Sequence, residues 1–430
     1  MADLRCNIAG IDSINPFWLA SAPPTDKKIN CERAFIAGWG GVVWKTLGDN
    51  PPGENPPVVN VSSRYAVHKD TNRAFIGINN IELISDRPLE VNLREIEEMR
   101  KEWPDRVIIG SMMAPVEEEA WKSLAIKIAN AGVHGLELNL GCPHGMCERG
   151  MGSAIGQVPE MVEQVTRWVK EVVDIPVFTK LTPNTTDILI PAEAAQAGGA
   201  DAVSMINTVN SIVSVDLDNM APRPVVGGKG THGGYCGSAI KPIALHMLAE
   251  IKRHQHTANL PVSAIGGITT WRDAAEFIAL GAEGLQVCTA AMIHGFKIIE
   301  DLNDGLSDFM DSKGYRSLDD FRGLAIPNTV DWNELDINYD VKASIDSDKC
   351  IECGKCYEVC EDTSHQAIEM LVDKVSGKRK FSVIDQECVG CNLCEMVCPV
   401  PECITMQDVD NGLPYVNWPN HPKNTMSQPS

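Results

Sequence analysis

The sequence predicts an α/β protein in which a (β/α)8 TIM barrel is followed by a small cysteine-rich domain. Two observations predict the barrel: eight apolar runs of strand length alternate with segments of helical length, and several runs follow an Ala-Gly or Leu-Gly junction that can end a helix. A third predicts the second domain, because eight of the fifteen cysteines form two runs of identical spacing. We expect the barrel over residues 1–310, a linker over 311–345, the cysteine-rich domain over 346–410 and a tail over 411–430.

The barrel strands are expected in runs that are hydrophobic on both faces, as buried parallel strands are. A hairpin around Gly10 precedes them, and the long connection 50–104 is expected to pass over the barrel mouth, where such loops usually build the active site. The strands are predicted at residues 15–20, 42–46, 107–112, 136–140, 177–181, 202–206, 262–265 and 285–288. The helices are predicted at residues 31–37, 89–102, 117–130, 159–173, 187–197, 241–253 and 271–280.

Each cysteine run has the spacing C-x2-C-x2-C-x3-C, which supplies three thiolates to one iron–sulfur cubane and a fourth to the other. The sequence therefore predicts a ferredoxin-like domain with two [4Fe-4S] clusters. A pair of zinc sites or a disulfide framework is the alternative, although zinc sites seldom repeat four equally spaced thiolates. The predicted ligands of the first cluster are Cys350, Cys353, Cys356 and Cys398, and those of the second are Cys360, Cys388, Cys391 and Cys394.

Composition limits the classes of function. A chain of 430 residues with a formal net charge of -21 is unsuited to nucleic acid, whose phosphates it would repel. No apolar stretch reaches the ~20 residues of a membrane span, and residues 1–5 lack the pattern of a signal peptide. We expect a soluble, cytoplasmic protein, because iron-binding thiolates need a reducing compartment.

Polar side chains end four of the predicted barrel strands, where the catalytic groups of this fold lie. Lys45 and Thr46 end the second strand, Asn139 the fourth, Lys180 the fifth, and Asn207 with Thr208 the sixth. A buried lysine is costly unless an anion compensates it, and a reduced flavin is such an anion. The alternative for either lysine is a surface or ion-paired side chain.

The seventh and eighth strands end in residues that suit a phosphate group. Gly266 and Gly267 follow one strand, and Cys288 and Thr289 follow the other; barrels often bind phosphate there through backbone N–H groups. Gly237, just ahead of another helix, is expected to line the same end of the cofactor. A Gly-Gly pair by itself is more often a plain turn.

A glycine-rich loop carries Cys142 directly beyond the fourth strand. Such a loop can open and close over a substrate, and a cysteine there can give or take a proton, with its neighbours setting the thiol pKa. The alternative is an inert packed cysteine, the commoner fate of a free thiol. The adjacent Pro143 and His144 and the position at the mouth favour a catalytic role.

In combination, these motifs resemble the FMN- and iron–sulfur-binding part of the dihydropyrimidine dehydrogenases, notably the catalytic subunit of the bacterial NAD-dependent enzymes. The barrel is shared more loosely with dihydroorotate dehydrogenases. The resemblance covers nearly the whole chain. It rests on residues 44–46, 80–84, the Cys142 loop, 180–184, 207–209 and 350–357.

The resemblance implies reversible reduction of the 5,6 double bond of uracil or thymine, with Cys142 as general acid. It implies that the pyrimidine is held by Asn80, Glu82, Asn139, Asn207 and Thr208, whose amides suit an edge that alternates carbonyl and N–H groups. It also assigns FMN to Ala20, Ser21, Lys45, Thr46, Lys180, Gly237, Gly266, Gly267, Cys288 and Thr289. No G-x-G-x-x-G fingerprint opens a βαβ unit in the sequence, so we expect NAD(H) and FAD to be bound by a partner flavoprotein that delivers the electrons.

Three positions depart from the family pattern. Gly141 replaces the serine before the catalytic cysteine, Cys147 replaces a glycine of the same loop, and Glu361 replaces the proline after a ferredoxin run. Two alternative functions stay open: a dihydroorotate dehydrogenase or other cyclic-amide reductase, and a non-catalytic electron-relay subunit. A relay would need neither a proton donor nor substrate amides.

Overall fold

The chain is described by a computed structural model over residues 2–49 and 58–424. It divides into two compact units, with the division between Thr329 and Val330. In the first unit the strands are β1 (Cys6–Ile8), β2 (Ile11–Ser13), β3 (Phe17–Leu19), β4 (Gly41–Leu47), β5 (Tyr65–Lys69), β6 (Phe75–Asn80), β7 (Val107–Met112), β8 (Gly135–Asn139), β9 (Val177–Lys180), β10 (Ala202–Met205), β11 (Val209–Ser211), β12 (Val215–Asp216), β13 (Ala221–Pro222), β14 (Gly233–Cys236), β15 (Val262–Ile265) and β16 (Gly284–Val287). Its helices are α1 (Lys28–Ala37), α2 (Leu89–Glu102), α3 (Glu118–Asn130), α4 (Ser153–Gly156), α5 (Pro159–Lys170), α6 (Leu189–Ala197), α7 (Lys241–Arg253), α8 (Trp271–Ala279), α9 (Thr289–His294) and α10 (Ile298–Lys313).

Eight parallel strands close into a barrel in the order β3-β4-β7-β8-β9-β10-β15-β16, and β16 pairs again with β3. These are the eight runs that the sequence predicts, so the TIM-barrel prediction is confirmed. Every residue of β4, β7, β8 and β9 is buried. Strands covered on one side by helices and on the other by the barrel interior must be apolar on both faces, which is why the sequence pattern located them.

The predicted hairpin is also present: β1 and β2 pair antiparallel around Ala9 and Gly10. Gly10 has φ +85°, a backbone conformation that glycine adopts at little cost.

A second sheet, which the sequence does not reveal, forms beside the barrel. It has four antiparallel strands in the order β11-β14-β6-β5. Two of them come from the connection 50–104 and two from the connection between β10 and β15, and Gly234 of one pairs with Asn80 of the other. The predicted excursion of residues 50–104 is therefore this β5–β6 hairpin followed by α2, although residues 50–57 lie outside the described residues.

One large apolar core holds the first unit together. Trp18, Trp39, Trp44 and Trp121 are fully buried. Burying one large apolar side chain contributes about 1.5–3 kcal/mol, so these residues are major contributors to stability. The core extends past the predicted end of the barrel at residue 310, because α10 ends at Lys313 and Leu318 and Phe321 are buried in the same cluster.

The second unit contains β17 (Asp340–Ile345), α11 (Lys355–Thr363), β18 (Ile368–Val372), β19 (Arg379–Val383), α12 (Leu393–Val397) and β20 (Ile404–Val409). β17 pairs with β20 along its whole length, and β18 pairs with β19. The sequence analysis placed residues 340–345 in a linker, but their antiparallel pairing with β20 makes them part of this unit. Its core is small, and cysteines are five of the ten buried residues described in it.

The described part of the predicted tail, residues 411–424, is packed against residues of the same unit. The backbone N–H of Ile337 donates to the carbonyl of Val416 (2.8 Å), and the Tyr415 hydroxyl donates to the carbonyl of Glu334 (2.7 Å). The Trp418 ring lies 6.1 Å from that of Trp332. Aromatic packing and backbone hydrogen bonds therefore order this segment, although it is rich in proline and asparagine.

Candidate active site

A cavity of about 310 Å³ opens at the carboxyl ends of the barrel strands. Its wall is completed by the four-stranded sheet, through side chains such as Ile78 and Cys236. All sixteen residues that the sequence analysis assigned to catalysis, substrate or flavin line this one cavity, although their roles stay predictions. They are Ala20, Ser21, Lys45, Thr46, Asn80, Glu82, Asn139, Cys142, Lys180, Asn207, Thr208, Gly237, Gly266, Gly267, Cys288 and Thr289.

Lys45 reaches the cavity from β4 and forms a buried ion pair with Glu82. Its Nζ lies 2.5 Å from Glu82 Oε1, and each side chain is only 6% exposed. Arg64 Nη1 lies 3.0 Å from both oxygens of the same carboxylate, and the Tyr65 hydroxyl donates to Oε2 at 3.1 Å. Burial, followed by the charge of Glu82, raises the pKa of Tyr65, which keeps that hydroxyl a donor.

Lys180, at the end of β9, has a different partner. Its Nζ lies 3.3 Å from Oε1 of Glu137, whose side chain is completely buried inside the barrel. The sequence analysis inferred that the two lysines need an anionic cofactor, but each already has a carboxylate. Both lysines are therefore ion-paired and buried on the cavity wall, and their contact with a flavin stays a prediction.

Two of the three asparagines are hydrogen-bonded to each other, and the third is bonded to the four-stranded sheet. Asn139 Nδ2 donates to Thr46 Oγ1 (2.9 Å), and Asn207 Nδ2 donates to Asn139 Oδ1 (2.9 Å). Asn80 Nδ2 donates to the carbonyl of Gly234 in β14 (2.8 Å). Each amide is held in one orientation, and a carboxamide with four hydrogen-bonding positions keeps capacity for a ligand.

Gly141 allows the hydrogen bond between Asn139 and Asn207 to form. A Cβ added at position 141 would lie 2.5 Å from Cβ and 2.6 Å from Nδ2 of Asn207, far inside van der Waals contact. The serine of the family pattern would therefore have to displace Asn207. The glycine is a structural determinant of how closely the amides at positions 139 and 207 approach each other.

The Cys142 loop folds into the cavity and is fixed by its own backbone. The Cys142 thiol donates to the carbonyl of His144 (3.5 Å). Gly152 packs against the same residue: a Cβ added at Gly152 would lie 2.7 Å from the carbonyl oxygen of Cys142. Burial raises the pKa of the Cys142 thiol to about 11. The thiol is therefore neutral and protonated at pH 7.

His144 has one ring nitrogen that is bonded and one that is not. Nε2 donates to the backbone carbonyl of Glu82 (3.0 Å), and burial lowers the pKa of the ring, which is therefore neutral. Among the residues that the structure describes, Nδ1 is buried without a hydrogen-bond partner. Cys147, the other thiol of the loop, donates to the carbonyl of Pro143 (3.2 Å) and is not part of the cavity wall.

Three glycines form the opposite end of the cavity. Gly267 has φ +74°, and its Cβ would lie 2.9 Å from the carbonyl oxygen of Gly237. A side chain at position 267 would therefore push the two backbone segments apart at this part of the cavity wall. Cys236 and Cys288 line the wall nearby, and burial raises the pKa of their thiols to about 11 and about 12.

In the second unit the eight cysteines surround two separate small cavities. Cys350, Cys353 and Cys356 line one together with Cys398, from the other run. Cys388, Cys391 and Cys394 line the other together with Cys360, again from the other run. The structure groups the cysteines as the spacing predicts, and their role as cluster ligands stays a prediction. A further cysteine, Cys403, lines the first cavity and had no such pattern to reveal it.

No helix in residues 2–49 and 58–424 is long and apolar enough to cross a membrane.

Comparison with known families decides the classification of the first unit, because residues 3–310 match the dihydroorotate dehydrogenase family. The chain belongs to the dihydroorotate dehydrogenase family. Residues 343–406 match the 4Fe-4S dicluster domain. Membership of these families implies a flavin in the barrel and iron–sulfur in the second unit.

Individual relatives in the dihydroorotate dehydrogenase family differ in how much of the chain they match. The NAD-dependent dihydropyrimidine dehydrogenase subunit PreA of Escherichia coli (strain K12) is 42% identical over 95% of this chain and 96% of its own length. The chloroplastic dihydropyrimidine dehydrogenase (NADP(+)) of Arabidopsis thaliana is 40% identical over 75% of this chain and 77% of its own length. The catalytic subunit of dihydroorotate dehydrogenase B (NAD(+)) from Pyrococcus abyssi is 38% identical over 75% and 99%.

The sequence analysis missed several residues of this dihydroorotate dehydrogenase family site. Glu137 and Gln286 are polar residues in the middle of apolar strands, a signal that could have been followed. Arg64 and Tyr65 carried no such signal, because Tyr65 begins, and Arg64 directly precedes, a half-exposed strand of a sheet that includes strands distant in sequence. Glu82 was assigned to substrate, yet both oxygens of its carboxylate are engaged by side chains of the protein.

Proposed function

We infer that the chain is the catalytic subunit of a dihydropyrimidine dehydrogenase. It reduces the 5,6 double bond of uracil or thymine, reversibly, with FMN in the barrel and two [4Fe-4S] clusters in the second unit. One observation carries the proposal: the neutral thiol of Cys142 lines the same cavity as the amides of Asn80, Asn139 and Asn207. A site that only passed electrons would need neither group.

The residues of the cavity fit a flavin mononucleotide. Lys45 and Lys180 present positive charge to the cavity wall, and Gly266 and Gly267 leave room for backbone N–H groups to approach a phosphate. Gln286 Oε1 and His144 Nδ1 are acceptors on the cavity wall that have no partner among the described residues, so they can accept from ring N–H groups. The chemistry that FMN supplies when bound is transfer of a hydride to carbon 6 of the pyrimidine.

The chain's own residues supply the rest of the reaction. The linked amides orient the pyrimidine, and their fixed directions keep its carbonyl and N–H groups in one register. The Cys142 thiol gives its proton to carbon 5, so that hydride and proton together add one H2 to the double bond. The thiolate that is left regains a proton from solvent at pH 7, because burial raises the pKa of Cys142 to about 11.

A specific observation favours a neutral pyrimidine over dihydroorotate. A substrate carboxylate needs a cation, but Lys45 and Lys180 are each paired with a glutamate, and in this proposal the charge they have left faces the flavin. The histidines of the described cavity wall do not replace them, because burial keeps His144 neutral and His294 is exposed at the end of α9. An uncharged ring needs no cation and can be bound by the amides and hydroxyls of the cavity wall.

Electrons are expected to come from NADH through a separate flavoprotein that binds FAD and NAD. Two features support this: no G-x-G-x-x-G fingerprint opens a βαβ unit in the sequence, and the relative from Escherichia coli is itself named as a subunit. NADH added to the purified single chain under anaerobic conditions should leave its flavin oxidised. Rapid bleaching of the flavin would contradict the need for a partner.

The proposal is tested by reducing the purified holoprotein with light under anaerobic conditions and adding candidate oxidants. Uracil or thymine should reoxidise the flavin and appear as the dihydropyrimidine, whereas orotate should not. Reoxidation by orotate alone would make the chain a dihydroorotate dehydrogenase, and reoxidation by none of them would favour an electron relay. Iron analysis should give about eight irons per flavin; about two irons, or zinc in their place, would exclude two cubanes.

A further inference from the structure

A polar network crosses the interior of the barrel below the cavity. Its centre is the carboxylate of Glu137, which is completely buried. Oε1 of Glu137 lies 3.3 Å from Lys180 Nζ, and Oε2 accepts from Gln286 Nε2 at 3.2 Å. Gln286 Nε2 also lies 3.2 Å from Ser204 Oγ and 3.0 Å from Ser263 Oγ. The five residues belong to five successive strands, β8, β9, β10, β15 and β16.

The network contains one negative and one positive charge. A buried carboxylate is expensive unless it is paired and hydrogen-bonded, and Lys180 is the cation that the structure places next to Glu137 in the described part of the chain. Lys180 also lines the cavity, so its ammonium has Glu137 on one side and the cavity on the other. Its charge extends into the cavity, where it lowers the pKa of the Cys142 and Cys288 thiols that burial has raised.

The other buried ion pair differs in construction. Glu82 is shared among Lys45, Arg64 and Tyr65, two of which come from the half-exposed strand β5 or the residue before it. Glu137 is bonded to one cation and one amide, all on barrel strands. Removal of Glu137 therefore leaves Lys180 as a buried cation without a counter-charge, whereas Lys45 belongs to a network with an additional arginine.

We propose that Glu137 is a positioning residue that holds Lys180 protonated and fixed at the cavity wall, and thereby sets the reduction potential of the bound flavin. Reduction places negative charge on the flavin, and a nearby positive charge stabilises it. Glu137 partly cancels that positive charge but also fixes the position of the ammonium that carries it. This inference rests on the flavin site of the proposed function, and it concerns the potential rather than the substrate.

Glu137→Gln is the informative substitution because it removes the charge and keeps the shape. The amide oxygen can still accept from Lys180, and its NH2 group can donate to Gln286 Oε1, which has no partner among the described residues. In this variant Lys180 is an uncompensated cation at low pH and loses its proton as the pH rises, because burial disfavours an unpaired charge.

The measurement is spectroelectrochemical titration of the flavin in the holoprotein between pH 6 and pH 10. At pH 6 we expect at least about tenfold more reduced flavin in the variant than in the native protein at one applied potential, which is about 30 mV for a two-electron couple. The difference should shrink with increasing pH and vanish once Lys180 is neutral. The thiols of Cys142 and Cys288 stay mainly protonated in this range, because burial raises their pKa to about 11 and about 12.

Three controls separate charge from structure. Gln286→Met breaks the same network without changing its charge and should keep the native pH dependence. Glu137→Asp keeps the charge and should do the same. Lys180→Met should lower the potential, and the double variant E137Q/K180M should lack the pH-dependent difference expected for Glu137→Gln, because that difference acts through Lys180.

The proposal fails if the potentials of Glu137→Gln and the native protein run parallel with pH, if Gln286→Met or Glu137→Asp reproduces the effect of Glu137→Gln, or if the two substitutions are additive. If Glu137→Gln does not fold, Lys180→Met decides, because an unchanged flavin potential in that variant would overturn the proposal. A native protein that binds no flavin would instead contradict the proposed function.

Discussion

The two units of the chain obtain their stability in different ways. The barrel unit has an extensive apolar core with four completely buried tryptophans. The second unit has a small core, and cysteines account for half of the buried residues described there. A thiol contributes less apolar area than leucine or phenylalanine, and these thiols surround the cavities where clusters are expected. We therefore expect the barrel to fold on apolar burial and the second unit to need bound iron for its stability.

The largest expected effect is loss of the second unit on removal of iron. Metal binding is coupled to folding when the ligands form much of the core. Treatment of the reduced holoprotein with an iron chelator should make residues 330–424 sensitive to protease while residues 58–329 stay resistant. Mass spectrometry of the fragments locates the cleavage sites.

The matched control is the same digestion without chelator, in which both regions should be protected. Simultaneous loss of both units at one chelator concentration would show that they are a single cooperative unit, and the comparison between them would fail.

The next effect concerns a cysteine of the barrel, which should matter for rate and not for stability. Cys142→Ala removes the proton donor and leaves the amides and both ion pairs in place. Single-turnover oxidation of the reduced flavin by uracil should slow by roughly a hundred- to ten-thousandfold, the usual loss for a general acid. Iron content and thermal unfolding of the barrel should stay native.

Cys147→Ala is the control in the same loop, because its thiol is outside the cavity wall. It should keep a near-native rate. If Cys147→Ala loses the rate and Cys142→Ala does not, the wrong cysteine has been assigned; if neither matters, proton donation from this loop is wrong.

A smaller effect is expected from Gly141→Ser. The new Cβ would lie 2.5 Å from Asn207 Cβ, so the side chain of Asn207 must move and its bond to Asn139 must stretch or break. Overpacking of this kind costs about 1–3 kcal/mol. We expect uracil binding to the oxidised holoprotein, measured by the shift of the flavin spectrum, to weaken roughly ten- to hundredfold. Unchanged or tighter binding would mean that serine is accommodated without moving Asn207.

The smallest expected effect is that of pH on the single-turnover rate, which should hardly change. Burial raises the pKa of Cys142 to about 11, so the acid form is present below that pH and is lost only as the pH rises through it. The single-turnover rate should stay within about twofold between pH 6 and pH 9.5. A thiol with an ordinary pKa of ~8.5 would lose about tenfold by pH 9.5, and such a loss would show that Cys142 is exposed to solvent when it reacts.

The parts of the molecule that the sequence predicted are those with local signals. The barrel strands were located because each is apolar on both faces, and the grouping of Cys398 with Cys350 follows from spacing along the chain. The sheet β11-β14-β6-β5 was not predicted because its strands are short and partly exposed, and Asn80 pairs with Gly234 only in the folded chain. Likewise, the lysines at the strand ends were visible in the sequence. The carboxylate that pairs with each lysine was not, because the two are brought together only by the fold.

The four-stranded sheet beside the mouth limits how the cavity can exchange its contents. β6 is hydrogen-bonded on one side to its own hairpin partner β5 and on the other to β14 of the second insertion. Neither insertion can swing away without breaking a ladder of backbone hydrogen bonds. The Cys142 loop has no ladder of this kind: residues 142–152 are held by turns, with glycines of positive φ at positions 145, 150 and 152. The Cys142 loop is therefore the part of this wall that can open with the fewest broken backbone ladders, and under the proposed function such an opening would carry the proton donor with it.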